Sequence, residues 1–396
     1  MSKSVGIVAE YNPFHTGHGY QIDFLHSKGF EDVVVAMSGS CVQRGQFALF
    51  SKFARAEMAL LGGVDLVLEI PCPFSIKSAE GFADAGVKIL KNAGVNALCF
   101  GSESDDLPLM KEIASYLLGE EYSLNLKKYL AQNLPFPQAR QSAILQKFEL
   151  TKDFLSASND ILAIEYLKAC IKLDWDVEII PLKRRGANYK DLEEKGDFAS
   201  AGGIRNMICE YRTDIAQKFI PKKSLGIFEK CLDHGAFFIE DYAYEKALLF
   251  TLRGKTHRDF IACPDCNNEL SHAFENAVSR AESLSQLFEF LPTKQYPKSR
   301  LNRIILWTLL DLDDIFPSSV PYLRILAMGE KGEKIVKNMS KTSVLPISSS
   351  IKILSEVSEE CRKVCAAESL ATDSFCGFCR IIQPPRTDFT TRVIKG

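Results

Sequence analysis

The chain has 396 residues, of which 46% are hydrophobic and 25% are charged, and its formal net charge is −2. This composition is typical of a folded globular protein, and the length predicts more than one domain because single cores rarely grow beyond about 250 residues. The small net charge excludes a protein that binds nucleic acid over its whole surface. The sequence shows neither a run of about 18 uncharged apolar residues nor a signal-peptide pattern, so we expect a cytoplasmic protein without a membrane partner.

Short β-branched runs alternate with helical patterns over the first 105 residues. This alternation predicts a parallel sheet with helices on both of its faces, a Rossmann-like arrangement. Residues 106–150 have a charged helical pattern and are interpreted as an insertion. A helix that begins near Asn159 and a strand over 177–182 then resume the sheet pattern.

The second half of the chain has a different pattern. Beyond residue 225 the segments look helical, including the one at 322–339. We therefore predict an α/β fold with a domain boundary near residue 220. Residues 1–220 form a Rossmann-like parallel-sheet domain, and residues 221–396 form a mainly helical C-terminal domain.

A histidine motif follows the first predicted strand directly. The sequence Asn12-Pro13-Phe14-His15-Thr16-Gly17-His18 opens a helical pattern at the carboxyl end of that strand, where open α/β sheets bind their ligands. Both histidines share one side of the first helical turn, which attracts anions, and Gly17 allows a nucleotide to approach closely. Two imidazole donors suit the negative charge that develops on the α-phosphate of ATP. The alternative is that one histidine caps the helix and the other packs in the core.

A second motif lies late in the α/β region. The sequence Ser200-Ala201-Gly202-Gly203-Ile204-Arg205 opens a helix. We expect the Ser200 hydroxyl and backbone N–H groups to hold pyrophosphate oxygens, while Arg205 neutralises the leaving group. A serine cap followed by a surface arginine would have the same sequence. With His15 and His18, however, this segment resembles the two signatures of the HxGH nucleotidyltransferase superfamily, and we predict all four side chains to be catalytic.

Several longer blocks carry a more specific resemblance. They are GIVAEYNPFHTGHGYQI, MSGSCVQRGQFALFSKFARAEMALLGGVDLVLEIP, SNDILAIEYLKA, ASAGGIR and SRLNRIILWTLL. These blocks are similar to the bacterial tRNA(Met) cytidine acetate ligase family, and the similarity covers nearly the whole chain. The resemblance implies that acetate and ATP form acetyl-adenylate, and that the acetyl group then passes to the exocyclic amine of the wobble cytidine of elongator tRNA(Met). The product is N4-acetylcytidine, and Mg²⁺ usually accompanies the triphosphate.

The resemblance also implies which residues contact the adenine nucleotide. In the family these are the segment from the first strand to HxGH, the glycine of FGSE, the asparagine of SND and the arginine after the late strand. In this sequence they are Gly6, Ile7, Val8, Glu10, Asn12, Pro13, Phe14, His15, Gly17, His18, Gly101, Asn159 and Arg184, with Arg185 as the adjacent candidate. An ordinary turn glycine at Gly101 and an ordinary helix cap at Asn159 are the alternatives.

Further polar residues are candidates for contacts with acetate or RNA. They are Gln43, Arg44, Lys52, Arg55, Arg300 and Arg303. The first four follow the second strand and would border the same cleft, where they can touch acetate, phosphate or the anticodon loop. The last two belong to a basic stripe that we interpret as a tRNA-docking surface. Solvated helix charges are the alternative for Lys52 and Arg55.

Cysteines near the C-terminus raise the question of a metal. Cys361, Cys365, Cys376 and Cys379 have the spacing C-x3-C-x10-C-x2-C, which can bind zinc or an iron–sulfur cluster. Buried free thiols explain them equally well, and we predict no metal site.

Two other functions compete with the acetate ligase. One is an adenylyltransferase or cytidylyltransferase that acts on a small phosphate or carboxylate, since most HxGH enzymes transfer nucleotides to small molecules. A small-molecule enzyme has little use for a basic helical half, which favours the tRNA enzyme. The other is a non-catalytic RNA-binding protein with a relict nucleotide site, which the presence of His15, His18 and Arg205 disfavours.

Overall fold

A computed structural model describes residues 3–104, 106–132, 134–149, 158–183, 199–313 and 316–396. Its central feature is a mostly parallel sheet with the strand order β10-β8-β5-β2-β1-β6-β7, to which β9 is added beside β8. Strands β3 and β4 form a separate small hairpin. The strands are β1 Ser4–Ala9, β2 Asp32–Ser38, β3 Cys41–Val42, β4 Gln46–Phe47, β5 Leu66–Ile70, β6 Ala97–Ser102, β7 Glu178–Lys183, β8 Leu323–Met328, β9 Ile347–Ser348 and β10 Ile394–Lys395.

Helices connect these strands and make up most of the second half. Those up to residue 216 are α1 Thr16–Ser27, α2 Lys52–Leu61, α3 Ala79–Ala93, α4 Leu107–Leu117, α5 Glu120–Leu130, α6 Phe136–Leu145, α7 Ser158–Lys172, α8 Ala201–Cys209 and α9 Thr213–Ala216. The later ones are α10 Leu225–Asp233, α11 Tyr242–Arg253, α12 His257–Ile261, α13 Asn268–Arg280, α14 Leu284–Phe290, α15 Lys298–Leu309, α16 Glu330–Thr342, α17 Ile351–Ser355, α18 Glu359–Phe378 and α19 Thr387–Thr390. Among the residues described, no helix has the length and apolar character needed to cross a membrane.

The central strands are buried on both faces, as their runs of Val, Ile and Leu predict for parallel strands. In β2, Val34 and Ala36 belong to a core shared with α3 and α7. Val33 and Val35 point to the opposite face and pack in a core shared with α1 and α2. Successive residues of a strand alternate between its faces, so this alternation places helices on both sides of the sheet, as expected from the sequence.

A third core lies among the helices of the second half. It contains Phe274 of α13, Trp307 of α15 and Phe375 of α18. The same core includes Cys41 and Cys72, which follow β2 and β5 respectively. The helical region therefore packs against the carboxyl ends of two central strands, where the nucleotide is expected.

One predicted helix is wrong. Residues 323–328 form β8, which lies antiparallel to β5 with Leu66 opposite Met328, and β10 pairs with β8 in turn. Short apolar runs are ambiguous between helix and strand, and the helical pattern of 330–342 that follows was extended too far toward the N-terminus. The second half thus contributes strands to the sheet of the first half. A division of the chain at residue 220 stays a prediction, but it would cut through one continuous sheet.

Candidate active site

The histidine motif lies where β1 ends and α1 begins. His15 precedes the first residue of α1, and its Nδ1 accepts the backbone N–H of Gly17 at 3.0 Å. The Nδ1 of His18 accepts the backbone N–H of His15 at 3.3 Å. The two rings are stacked, with centroids 3.8 Å apart and an interplanar angle of 26°. The backbone therefore fixes both imidazoles in one orientation at the helix N-terminus.

These hydrogen bonds determine which ring nitrogen carries the proton. A ring nitrogen that accepts a hydrogen bond has no proton, so each neutral imidazole carries its proton on Nε2. Both Nε2 atoms are therefore donors. His15 does cap α1, as the alternative interpretation expected, but the cap uses only Nδ1. Capping and donation to a phosphate are thus compatible within one side chain.

The structure brings the second motif beside the first. Ser200 caps α8, and its Oγ accepts the backbone N–H of Gly203 at 3.1 Å. Arg205 extends from α8 and donates from Nη1 to the backbone oxygen of Asn12 at 2.6 Å. Burial lowers the pKa of Arg205, with Glu10 opposing that effect, but a guanidinium stays protonated at neutral pH. A positive charge therefore lies next to the segment that leads into α1.

Polar contacts tie the same segment to the residues that follow β2. The carboxylate of Glu10 accepts the backbone N–H of Gln43 at 2.9 Å. The side-chain oxygen of Asn12, which is buried, accepts the backbone N–H of Leu49 at 2.7 Å. Gln43 is partly exposed and Arg44 is exposed. Gln43 thus lies beside the segment that leads into the histidine motif, and the role of Gln43 and Arg44 in binding acetate, phosphate or RNA stays a prediction.

The FGSE and SND segments also meet. Gly101 lies near the end of β6, the strand beside β1, and the Asn159 side chain donates to the carboxylate of Glu103 at 2.6 Å. Asp160, which the sequence analysis missed, is buried and accepts the Ser102 hydroxyl at 2.9 Å and the Glu103 N–H at 2.8 Å. The sequence signal that could have indicated Asp160 is the presence of an acid in the first turn of α7, directly after Asn159. Asp160 fixes the loop that carries any nucleotide contact after β6.

Some residues of the first strand segment are explained by packing. Gly6 is buried, and a Cβ at this position would meet the side chains of Leu90 and Val95, so the glycine makes room for the layer of α3. The ring of Phe14 is fully buried in edge contact with Tyr11, with centroids 4.9 Å apart. The buried Phe14 ring therefore cannot contact a nucleotide, which corrects that part of the prediction, whereas a backbone contact at Gly6 stays a prediction. The side chains of Ile7 and Pro13 are buried as well, which leaves backbone contacts as the prediction for Ile7, Pro13 and Phe14.

Arg55 is not a solvated charge or an RNA contact, because it is fully buried. Its guanidinium donates to the backbone oxygens of Glu10 at 2.6 Å, Ser38 at 3.1 Å and Phe50 at 3.0 Å, and also to that of Gly39. Burial lowers its pKa to about 10, so it remains charged at neutral pH. Arg55 therefore holds together the carboxyl ends of β1 and β2.

Lys52 is likewise inaccessible, which corrects its assignment to acetate or RNA. Its Nζ lies 2.6 Å from the Glu69 carboxylate, 2.8 Å from that of Glu368 and 2.7 Å from that of Asp388. Arg324 completes the group through contacts with Glu69 at 3.2 Å and Asp388 at 2.6 Å. We call these five side chains, all at most 1% exposed, the buried charge cluster. Because Lys52 already meets three carboxylates in the interior, it cannot bind a further anion.

The buried charge cluster contains two cations and three carboxylates. Burial raises the pKa of Glu368, with Lys52 opposing the effect. Burial acts in the same direction on Asp388, but Lys52 and Arg324 outweigh it and lower the pKa of Asp388. Burial alone would lower the pKa of Lys52, yet the three carboxylates raise it. Lys52 and Asp388 are therefore both ionised at neutral pH.

The two predicted docking arginines of α15 have different surroundings. Arg303 is buried, and its Nε lies 2.5 Å from the Asp265 carboxylate. The prediction of an RNA contact through Arg303 is therefore corrected, since its side chain is only 8% exposed and is already paired with Asp265. Arg300 is partly exposed, donates to the backbone oxygen of Asp265 at 2.7 Å and stacks on the ring of Tyr296. Arg300 thus remains a candidate.

Two further predictions concern other parts of the chain. Arg184 and Arg185 lie outside the described residues. The cysteines of the tail are free, and three of them lie on α18. Cys361 and Cys376 are about 22 Å apart along that helix at 1.5 Å per residue. The four thiols therefore cannot share one ion.

Comparison with known proteins identifies the family. A family model described as HIGH Nucleotidyl Transferase matches residues 2–381. The tRNA(Met) cytidine acetate ligase of Caldanaerobacter subterraneus subsp. tengcongensis is 34% identical over 404 residues, which cover 99% of this chain and 100% of that protein. The chain belongs to the tRNA(Met) cytidine acetate ligase family. Another member, from Fervidobacterium nodosum, is 34% identical over 370 residues, covering 91% of this chain and 86% of the relative.

Solved structures of the tRNA(Met) cytidine acetate ligase family agree with the fold. Thermotoga maritima TmcAL, crystallised with alpha-thio ATP, superimposes with a TM-score of 0.91 at 29% identity and 99% coverage of both chains. The apo form of the same protein gives a TM-score of 0.93 at 30% identity, again with 99% coverage of both chains. The predicted α/β class with a mainly helical second half is thereby confirmed, and so is the resemblance to the family.

Proposed function

We propose that this enzyme activates acetate with ATP and transfers the acetyl group to tRNA. In the first step acetate attacks the α-phosphate, and acetyl-adenylate and pyrophosphate form. In the second step the exocyclic amine of the wobble cytidine of elongator tRNA(Met) attacks the acetyl carbonyl, loses a proton and releases AMP. The observation that carries the proposal is the convergence of His15, His18 and Arg205 at the start of α1.

The three side chains suit the first step. During attack, negative charge grows on the oxygens of the α-phosphate and then on pyrophosphate. The Nε2–H groups of His15 and His18, held in place through Nδ1, would stabilise the α-phosphate charge together with the N-terminus of α1. Arg205 and the hydroxyl of Ser200 would hold the leaving pyrophosphate. Mg²⁺ would accompany the triphosphate, as is usual.

Arg44 is our candidate for the cation that recognises acetate. Lys52 and Arg55 are occupied by buried partners, whereas Arg44 is exposed. It also lies close enough to Arg205 to contribute to the lowered pKa of that residue. An arginine can bind a carboxylate through two parallel hydrogen bonds, which suits a ligand as small as acetate. Gln43, the preceding residue, would border the same pocket.

Residues around β6 would complete the nucleotide site. Gly101 and Asn159 lie on the β6 side of β1, so we propose that they contact the adenosine part of ATP. Glu10 and Val8 would contribute from β1 and the residue that follows it. Arg184, with Arg185 as the adjacent candidate, belongs to the same proposal through the family resemblance.

The segment from α13 to α15 is the proposed tRNA surface. Three aromatic rings here each form a cation–π contact. Arg280 lies over Phe290, Lys298 over Phe288 and Arg300 over Tyr296, at 4.5, 4.8 and 4.7 Å from the ring centroids. Arg280 and Lys298 are exposed. Cations held beside aromatic rings are suited to RNA, because they contact phosphates while the rings accept stacked bases.

The deciding experiment uses purified protein, labelled acetate, ATP and a tRNA(Met) transcript. We expect the label to enter tRNA, and we expect no label in a matched transcript with uridine at the wobble position. Exchange of labelled pyrophosphate into ATP should require acetate but not tRNA. Exchange that proceeds equally without acetate would instead indicate nucleotide transfer to another small molecule, and labelling of both transcripts would contradict the assigned acceptor.

A further inference from the structure

A second pair of stacked histidines lies far from the active-site motif in the chain. His257 is the first residue of α12, and His272 lies on α13. Their rings are stacked with centroids 4.3 Å apart and an interplanar angle of 23°. The carboxylate of Glu275, one turn after His272 on the same helix, lies 3.3 Å from Nδ1 of His257 and 3.7 Å from Nδ1 of His272. Two imidazoles thus face one carboxylate oxygen.

This spacing fits the coordination sphere of a zinc-type ion. Zinc binds His nitrogen and carboxylate oxygen at about 2.0–2.1 Å, so neighbouring ligands of a tetrahedral site are about 3.3 Å apart. The three ligand atoms here all lie within 4.8 Å of one another, and two of the separations are close to that edge length. Because the two rings are stacked, both must turn to direct their Nδ1 lone pairs at one ion, and side chains that are one third to one half exposed have room for this rotation.

We propose that His257, His272 and Glu275 form a binding site for a divalent transition-metal ion of the zinc type. Two histidines and one glutamate supply three ligands, which leaves the fourth position of a tetrahedral ion to water. Imidazole nitrogen also favours Zn²⁺ over the oxygen-seeking Mg²⁺ that accompanies ATP. The site is therefore distinct from any magnesium that enters with the nucleotide.

The ion would join α12 directly to α13. The connection between these helices carries Asp265, which accepts hydrogen bonds from Arg300 and Arg303 of α15. A metal that holds the two helices together would restrain this connection. It would thereby also restrain Asp265, which binds the two arginines of α15. Metal binding should therefore raise the unfolding temperature, because a ligand bound only to the folded state stabilises that state.

The test is metal binding to the full-length protein after treatment with a chelator. Titration with Zn²⁺, or with Co²⁺ as a coloured substitute, should fill one site per chain. X-ray absorption of the zinc form should show nitrogen and oxygen neighbours at about 2.0–2.1 Å and no sulfur shell near 2.3 Å. A sulfur shell would overturn the proposal, since it would assign the ion to cysteines.

Variants of single histidines provide the specificity. His257→Ala and His272→Ala should each weaken Zn²⁺ binding by about tenfold or more and abolish the metal-dependent rise in unfolding temperature. His234→Ala is the matched control. His234 is an exposed histidine that caps the end of α10, outside the proposed site, and its Nδ1 contacts the Lys230 backbone oxygen of the same helix. All three variants remove exposed or partly exposed rings and should fold. Equal binding by wild type, His257→Ala and His272→Ala would overturn the site, and so would a comparable loss in His234→Ala.

Discussion

At the scale of single residues, each active-site histidine uses its two nitrogens differently. Nδ1 of His15 accepts a backbone N–H from the first turn of α1, and Nδ1 of His18 accepts the N–H of His15. This pairing leaves Nε2 as the protonated nitrogen in both neutral rings. Structural and catalytic contributions of His15 can therefore be separated by a side chain that keeps an acceptor at the Nδ1 position but lacks a donor at the Nε2 position.

Asparagine at position 15 provides that separation. His15→Asn should retain the cap, since asparagine is among the best N-cap residues, whereas His15→Ala should lose about 1 kcal/mol of stability. Both should lower acetate-dependent pyrophosphate exchange by about 100-fold or more, because both lack the Nε2 donor. Thermal unfolding and exchange rates measure the two effects. Full exchange activity in His15→Asn would show that His15 only caps the helix.

At the scale of one element, α15 shows that two similar residues on one helix can have unrelated roles. Arg300 and Arg303 lie three positions apart, yet Arg303 is buried against Asp265 while Arg300 reaches the surface beside Tyr296. The basic stripe in the sequence does not distinguish them, because the difference depends on Asp265, which approaches from the connection between α12 and α13. Only the fold reveals which arginine is accessible.

Alanine substitutions should separate the two arginines. Arg300→Ala should weaken tRNA binding and reduce the slope of affinity against salt concentration by about one unit, as expected for one lost phosphate contact. Arg303→Ala should destabilise the protein by about 1–3 kcal/mol, because it leaves Asp265 without its partner. Filter binding at several salt concentrations and urea unfolding check the two results. A weaker tRNA affinity for folded Arg303→Ala, with Arg300→Ala unchanged, would contradict this assignment.

The elements that the sequence predicted well share a physical property. The segment around β1 and α1, the start of α7 and the cap of α8 are specified by local signals, namely strand runs, capping residues and helical periodicity. Strand β8 was mistaken for helix because five of its six residues are buried, on both faces, so the strand lacks alternation. Asp160 was missed for a different reason: an acid in the first turn of a helix is common even where it has no partner, so its presence in the sequence does not indicate a buried contact.

At the scale of the whole molecule, the second half of the chain completes the first. The buried charge cluster joins α2 and β5 to β8, α18 and α19 through Lys52, Glu69, Arg324, Glu368 and Asp388. The carboxylate of Glu368 also accepts the backbone N–H of Ser40, directly after Gly39. Gly39 is required there, because a Cβ would collide with that carboxylate. Such partners are distant in sequence, so Lys52 was predicted to contact acetate or RNA, with a solvated helix charge as the alternative.

Replacing Asp388 by asparagine tests whether this cluster holds the C-terminal helices α18 and α19 to the sheet. Asp388 has a lowered pKa, so its contribution is present above the unfolded value near 3.8 and is lost as the pH falls through its lower folded value. Asp388→Asn should therefore cost about 3 kcal/mol from neutral pH down to pH 5, and the difference from wild type should shrink below pH 4.

Urea unfolding across that pH range measures the difference between wild type and Asp388→Asn. Glu359→Gln is the matched control, since Glu359 forms an exposed pair with Arg362 on α18 and should change stability by less than about 0.5 kcal/mol. The expected loss follows from removing the carboxylate that contacts both Lys52 and Arg324, in a region without water to solvate these two cations. A loss of stability in Asp388→Asn as small as that in Glu359→Gln would mean that the cluster does not anchor α18 and α19. Apolar packing of α18 alone would then be sufficient to hold these helices to the sheet.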